Sequence, residues 1–193
     1  MQGTTKADVW RYLVLYVYGG IYADIDAAPT KLTPEMMLQH DAFFVVEQYH
    51  LASQWFMAAS PRHPLMRYAL NEALKRLLDA SDIGKVRAAM VTGPHALHRG
   101  LIRFAADVGH SIVAWAPGRK PVKAGTYQGT DNRTVTVVGV GEHQNEFVNR
   151  DVVKRTKLRE YEQMGMRHFA SDLRPRGVSC RQAIDQSKVF TSG

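Results

Sequence analysis

The chain has 193 residues, 45% of them apolar and 22% charged, with a formal net charge of +7. That length and composition fit one globular domain with a sizeable core, and no apolar run nears the ~20 residues of a membrane-spanning helix. A single cysteine, Cys180, excludes an internal disulfide and a thiolate metal cluster.

Met1 leads directly into a polar segment, so no signal peptide is read at the start. The stretch from Lys6 to Asp26, KADVWRYLVLYVYGGIYADID, then reads as a helix, a two-glycine stop and a short strand. Thr5 is placed to cap the helix, with Asp8 reaching back as in a capping box. Leu13, Val14 and Val17 are expected to supply its core surface, and Gly19 is the left-handed terminator. Asp8 and Arg11 lie three apart and so are neighbours on one face. They form either a surface ion pair or a contact to a polyhydroxylated ligand.

Side chains alternate along a strand, so Tyr22, Asp24 and Asp26 share one face while Ile21, Ala23 and Ile25 pack on the other. Two carboxylates at that spacing repel each other and lose solvation. A hard divalent cation, Mn²⁺ or Mg²⁺, relieves both problems and commonly shares its oxygen ligands with substrate phosphates. A solvated turn is the plain alternative for an isolated Asp-x-Asp.

A strand is expected at Ala42 to Glu47, with Trp55 to Ala59 as another or its continuation. A helix follows over Pro64 to Asp79, with Leu65, Ala69, Leu70, Ala73, Leu74 and Leu77 as its buried stripe. Met90-Val91 reads as a short strand. Pro94 opens a helix through Val108, closed by Gly109. Thr92-Gly93-Pro94 at its start favours an anion or hydroxyl-bearing ligand, or simply starts the helix well. His95 and His98 in its first turn read as surface or partly buried histidines rather than metal ligands. Further strands are expected at Ile112 to Ala116 and Thr134 to Val140, so that the order of elements is that of an α/β domain. Asn132-Arg133-Thr134 forms a glycosylation sequon. Arg150 to Arg159 carries five basic residues; a solvated helix face is the expectation there, with a field that attracts phosphorylated donors or anionic acceptors. No nucleic-acid motif or aromatic interleaving accompanies it, so nucleic acid is not an expected partner.

The Asp-x-x-Arg-Tyr helix, the Tyr-Gly-Gly-Ile-Tyr link and the strand-borne Asp-Ile-Asp occur together within twenty residues. This combination resembles the DXD-containing sugar transferases of glycosyltransferase family 32. That family includes fungal outer-chain and inositol phosphorylceramide mannosyltransferases, and clostridial glucosylating toxins share related signatures. The matching residues are Ala7, Asp8, Arg11, Tyr12, Leu15, Tyr16, Tyr18, Gly19, Gly20, Ile21, Tyr22, Asp24 and Asp26. A looser likeness continues through Ala58-Ala59-Ser60-Pro61-Arg62-His63-Pro64 and Thr92-Gly93-Pro94. Gln54 stands near where relatives usually carry an Asn.

The resemblance implies a GT-A, Rossmann-like α/β fold and transfer of a hexose with retention. It places a divalent metal, Mn²⁺ or Mg²⁺, on Asp24 and Asp26, with Asp26 the more direct ligand. It sets Tyr22 against the nucleotide, and Asp8 and Arg11 on hydroxyls of the transferred sugar. The implied partners are a nucleotide-diphosphate sugar, GDP-mannose first and UDP-hexoses next, and a glycan or glycolipid acceptor. A Golgi setting is implied for a eukaryotic source. Family members normally begin with a strand and helices ahead of the Asp-x-x-Arg helix, where this chain has five residues before Lys6. The catalytic domain is therefore expected over residues 1–170, incomplete at its N-terminus, with a tail over 171–193. Two other readings compete. One is a non-catalytic fragment of such an enzyme. The other is a haloacid-dehalogenase-type phosphatase, which wants Thr or Val where this chain has Ala28 and a small turn residue in place of Pro29.

Overall fold

A computed structural model describes residues 3–24, 28–29, 33, 35, 39–46, 51–82, 87–109, 124–138, 148–149, 179 and 181–182. In chain order the elements are α1 (Gly3–Tyr18), β1 (Gly20–Ala23), β2 (Ala28–Pro29), β3 (Ala42–Val46), β4 (Ala52–Ala59), α2 (Pro64–Asp79), α3 (Ala88–Val91), α4 (Pro94–Ala106), β5 (Gly125–Gln128), β6 (Thr134–Val138) and β7 (Val148–Asn149). The fold is mixed α/β. Five strands form one sheet in the order β1-β4-β3-β6-β5, and β2 pairs with β7 separately. Within the larger sheet only β3 and β6 run parallel; the other three pairings are antiparallel.

The two faces of the sheet bury different sets. Ala42, Phe44 and Val46 of β3 join Met57 of β4 and the helix residues Tyr12, Leu15, Leu65, Leu97, Leu101 and Phe104 in one core. Phe43 and Val45 pack with Trp55, Phe56 and Ala58 on the opposite face. The period of two along β3 dictates this split. Each large buried side chain contributes roughly 1.5–3 kcal/mol of transfer free energy.

Local chemistry explains the helices. His63 caps α2: its Nδ1 accepts the Leu65 N–H at 3.2 Å, while its Nε2 hydrogen-bonds to the Thr134 carbonyl at 3.1 Å. Pro64 follows as the first helical residue. Leu65, Ala69, Ala73 and Leu77 are buried as expected, with Met66 added, whereas Leu74 is exposed. At Gly100 of α4 a Cβ would come within 2.7 Å of the Ala69 backbone nitrogen, so the two helices meet backbone to backbone.

Several expectations are corrected. Thr5 lies inside α1 and is buried, so it does not cap the helix. Leu13 and Val17 are about half exposed (45% and 47%); α1 instead turns Thr5, Asp8, Arg11, Tyr12 and Leu15 inward. Polar partners on β4 and at Thr92 make that face the better one to bury. Ile21 is 54% exposed, because β1 is an outer strand of the described sheet and Ile21 faces away from the helices. Met90-Val91 is helical: both N–H groups bond the Arg87 carbonyl, one at 2.9 Å and the other at 3.1 Å. The alanines before it favour that state. The α4 helix stops at Ala106 rather than Val108.

Asp26, Ile25, Glu47, Ile112 to Ala116, Arg150 to Arg159 and Cys180 lie outside the described residues. No described helix is long and apolar enough to cross a membrane.

Candidate active site

The inward face of α1 delivers charge to the sheet. Asp8, Arg11, Tyr12 and Leu15 follow the helical spacing of three and four, so they form one stripe. Opposite them the register between β3 and β4 shifts across Phe44 and Val46, whose partners are Met57 and Ala52. The irregular stretch between those partners holds Gln54, and such bulges re-aim backbone and side chains near sites. The Gln54 carbonyl accepts from Arg11 Nη1 at 3.0 Å.

Asp8 is fully buried (0% exposed), and both its oxygens are engaged. Oδ1 accepts from Gln54 Nε2 at 2.9 Å and faces Arg11 Nη2 at 3.3 Å. Oδ2 accepts the Thr92 hydroxyl at 2.7 Å. Burial raises its pKa to about 6, against the opposing pull of Arg11, Thr92 and Gln54. Tyr12 completes this shell. Its hydroxyl lies 2.8 Å from Gln54 Oε1 and 3.0 Å from the Gly93 carbonyl, so one proton serves two acceptors.

Arg11 is 5% exposed and links this shell to the end of β1. Its Nη1 stands 3.5 Å from Asp24 Oδ1, and its guanidinium lies 4.6 Å from the centre of the Tyr22 ring. That is a cation–π distance. Asp24 falls just after β1 but continues its pairing, its N–H bonding the Trp55 carbonyl at 2.8 Å. Tyr22 and Asp24 share a face as the alternation requires, and the Tyr22 hydroxyl donates to Asp24 Oδ1 at 2.8 Å. Burial, with Asp24 beside it, pushes the Tyr22 phenol up to about 12 although Arg11 pulls the other way. The Asp24 side chain retains 25% exposure, the most accessible carboxylate of the group.

Four of the five residues expected at the site, Asp8, Arg11, Tyr22 and Asp24, are thus in one connected cluster. Asp26, the fifth, is outside the described residues. A carboxylate oxygen donor at the open end suits a hard divalent ion. Among the described residues there is no group of three His, Cys, Asp or Glu side chains gathered to hold a metal.

Tyr12 and Thr92 were not singled out for this cluster by the sequence. Tyr12 stands four residues after Asp8, a spacing that could have marked it. Nothing local marks Thr92 as a partner of Asp8, since 84 residues separate them. His98 is buried, and burial with His95 and Arg99 nearby lowers its pKa to about 4.

Residues 1–44 match the sequence model of a family described as glycosyltransferase sugar-binding region containing DXD motif. Two curated relatives come from Schizosaccharomyces pombe. Inositol phosphoceramide mannosyltransferase 1 is 37% identical over 73 residues, covering 36% of this chain and 22% of its own length. Initiation-specific alpha-1,6-mannosyltransferase is 34% identical over 93 residues, covering 38% of this chain and 22% of its own length. The chain thus spans about a fifth of the length of these relatives. Among solved structures, PaToxG Glycosyltransferase is similar over 51% of this chain and 34% of its own, at 23% identity and a TM-score of 0.41.

Proposed function

We propose that this chain belongs to a glycosyltransferase that moves a hexose, mannose first, from a nucleotide-diphosphate sugar to a glycan or glycolipid acceptor. The observation that carries this reading is the placement of Arg11 between buried Asp8 and accessible Asp24, inside the segment that matches the sugar-binding family. The Arg11–Asp24 separation of 3.5 Å is the loosest link in the cluster. Ligand hydroxyls can enter there and replace it with shorter hydrogen bonds.

In this reading the nucleotide lies along Tyr22 and the sugar meets Arg11, with Asp8 behind the guanidinium. Asp24 and Asp26 would hold Mn²⁺ or Mg²⁺, which would supply positive charge to the leaving diphosphate. Arg11 orients the hexose while its carbon becomes oxocarbenium-like. Retention of configuration, a GT-A catalytic domain over residues 1–170 and a Golgi setting belong to the same proposal. The names of the fungal relatives support the mannose donor.

The test is turnover and binding of GDP-mannose with Mn²⁺, on the wild-type chain and on Asp26→Ala. Metal-dependent binding that the alanine variant loses supports the assignment. Equal behaviour of the two proteins removes Asp26 from the site. Binding without turnover in the wild type identifies a donor-binding segment in place of a complete catalyst.

A further inference from the structure

Asp8 is fully buried, and its carboxylate is one of the groups that hold the Arg11 guanidinium, beside the Gln54 carbonyl. Three donors fix that carboxylate. Gln54 comes from β4, Arg11 from the same helix, and Thr92 from the turn that opens α4. The Thr92 contact is the shortest at 2.7 Å, and it occupies Oδ2 while the other two donors share Oδ1. The neighbouring Gly93 carbonyl receives the Tyr12 hydroxyl, so the same turn grips α1 twice, one helical turn apart.

We infer that Thr92 is a positioning residue of the sugar end: its hydroxyl locks Asp8, and through Asp8 helps set the direction of Arg11. This deepens the donor-binding reading and rests on it for the identity of the ligand. It also gives the Thr-Gly-Pro turn a task turned inward, toward the helix that bears Asp8 and Arg11. A hydroxyl is the right group. It donates one hydrogen bond to a buried carboxylate without adding charge, and a buried carboxylate left short of a donor costs more than an exposed one. Valine has nearly the same shape as threonine and no donor, so Thr92→Val removes the bond with little change in packing.

The test uses Thr92→Val and Thr92→Ser in the full chain, with two readouts. The first is a ¹³C carboxyl NMR titration of Asp8, which needs no ligand. The valine variant should titrate higher than wild type, because a donor to the charged form has gone, and the serine variant should match wild type. An unshifted valine variant, or an equal shift in both, overturns the positioning role. If the valine variant does not fold, Thr92→Ala against Thr92→Ser makes the same comparison. The second readout is affinity for GDP-mannose against GDP, each with Mn²⁺. Thr92→Val should weaken GDP-mannose on the order of tenfold and leave GDP unchanged. Equal losses for both ligands overturn a role at the sugar end. A wild-type chain that binds neither ligand sinks the donor-binding reading, while the carboxyl titration still decides whether Thr92 holds Asp8.

Discussion

Asp8 and Arg11 form an ion pair at 3.3 Å, three residues apart on one helix and almost wholly out of water. Burial makes the pair asymmetric in its consequences. Its net stabilisation over a well-packed apolar pair can be close to nothing, yet breaking it leaves a charge stranded. Arg11→Met should therefore destabilise the chain toward the lower end of the roughly 3–5 kcal/mol typical of a broken buried pair, since Gln54 and Thr92 still serve Asp8. Adding Asp8→Asn to that variant should recover part of the loss. Urea denaturation at pH 7 measures both, and a loss below about 0.5 kcal/mol in the single variant would place this pair among ordinary surface pairs.

The buried titratable groups predict a pH profile. Asp8 has a folded pKa of about 6 against an ordinary 3.8. Between those values the folded chain keeps a proton that the unfolded chain has released, so this contribution to stability falls as pH rises and is flat above about 6. His63 and His98 work the other way. Burial chiefly lowers both from 6.5 to about 4, so over that interval the unfolded chain binds protons that the folded chain refuses. Their contribution is full above 6.5 and is lost as pH falls toward 4. Two histidines outweigh one aspartate, so stability should rise from about pH 4 to about pH 6. Asp8→Asn should steepen the rise and His98→Phe should flatten it. Denaturation midpoints at a series of pH values decide the matter; a flat wild-type profile would mean these groups are wetter than their burial indicates.

The sequence carried much of this arrangement because its key features are local. The helix over Pro64 to Asp79 has a cap, a proline start and a clear apolar period, and it forms over that range. Tyr22 and Asp24 meet as strand alternation requires. The errors fall where tertiary partners decide. α1 offers Leu13 and Val17 on one side and Asp8, Arg11 and Tyr12 on the other; hydrophobicity alone chooses the first, while the structure buries the second. Gln54, Thr92 and Gly93, distant in sequence, make the polar face worth burying. Gln54 was legible merely as a substitute for an Asn. Its role as the link between Asp8 and Tyr12 arises only in the folded chain, from contacts 46 and 42 residues apart in sequence.

Gln54 joins those two residues in a definite orientation. Its amide nitrogen donates to Asp8 and its amide oxygen faces the Tyr12 hydroxyl, so the two contacts agree on which end is which. Tyr12→Phe removes the donor and leaves Gln54 Oε1 and the Gly93 carbonyl each with one partner fewer. The expected loss is about 1–3 kcal/mol. Gln54→Leu should cost a comparable amount, and the double variant should cost less than the sum because the contact is shared. Strict additivity in a double-mutant cycle would show that the tyrosine hydroxyl acts through Gly93 alone.

The turn that hands α1 to β1 offers a cleaner comparison. Gly19 has φ of +68° and its N–H closes the helix on the Leu15 carbonyl at 2.9 Å. A Cβ there would meet Pro61 Cδ and the Pro61 nitrogen at 2.7 Å, and the Ala59 carbonyl oxygen at 2.9 Å. Gly20 also has a positive φ, +100°, yet a Cβ on it would touch nothing within 4 Å. Alanine at Gly20 therefore meets only the backbone strain, on the order of 1–2 kcal/mol, whereas alanine at Gly19 meets that strain and a collision with the chain that leads into α2. Gly19→Ala should be the more destabilising of the two in thermal melts. It should also weaken any donor binding, because the displaced turn carries Tyr22 and Asp24 with it. If the two alanine variants melt together, the close approach to Pro61 relaxes freely, and the position of Asp24 is set by its pairing with Trp55 instead of by the turn.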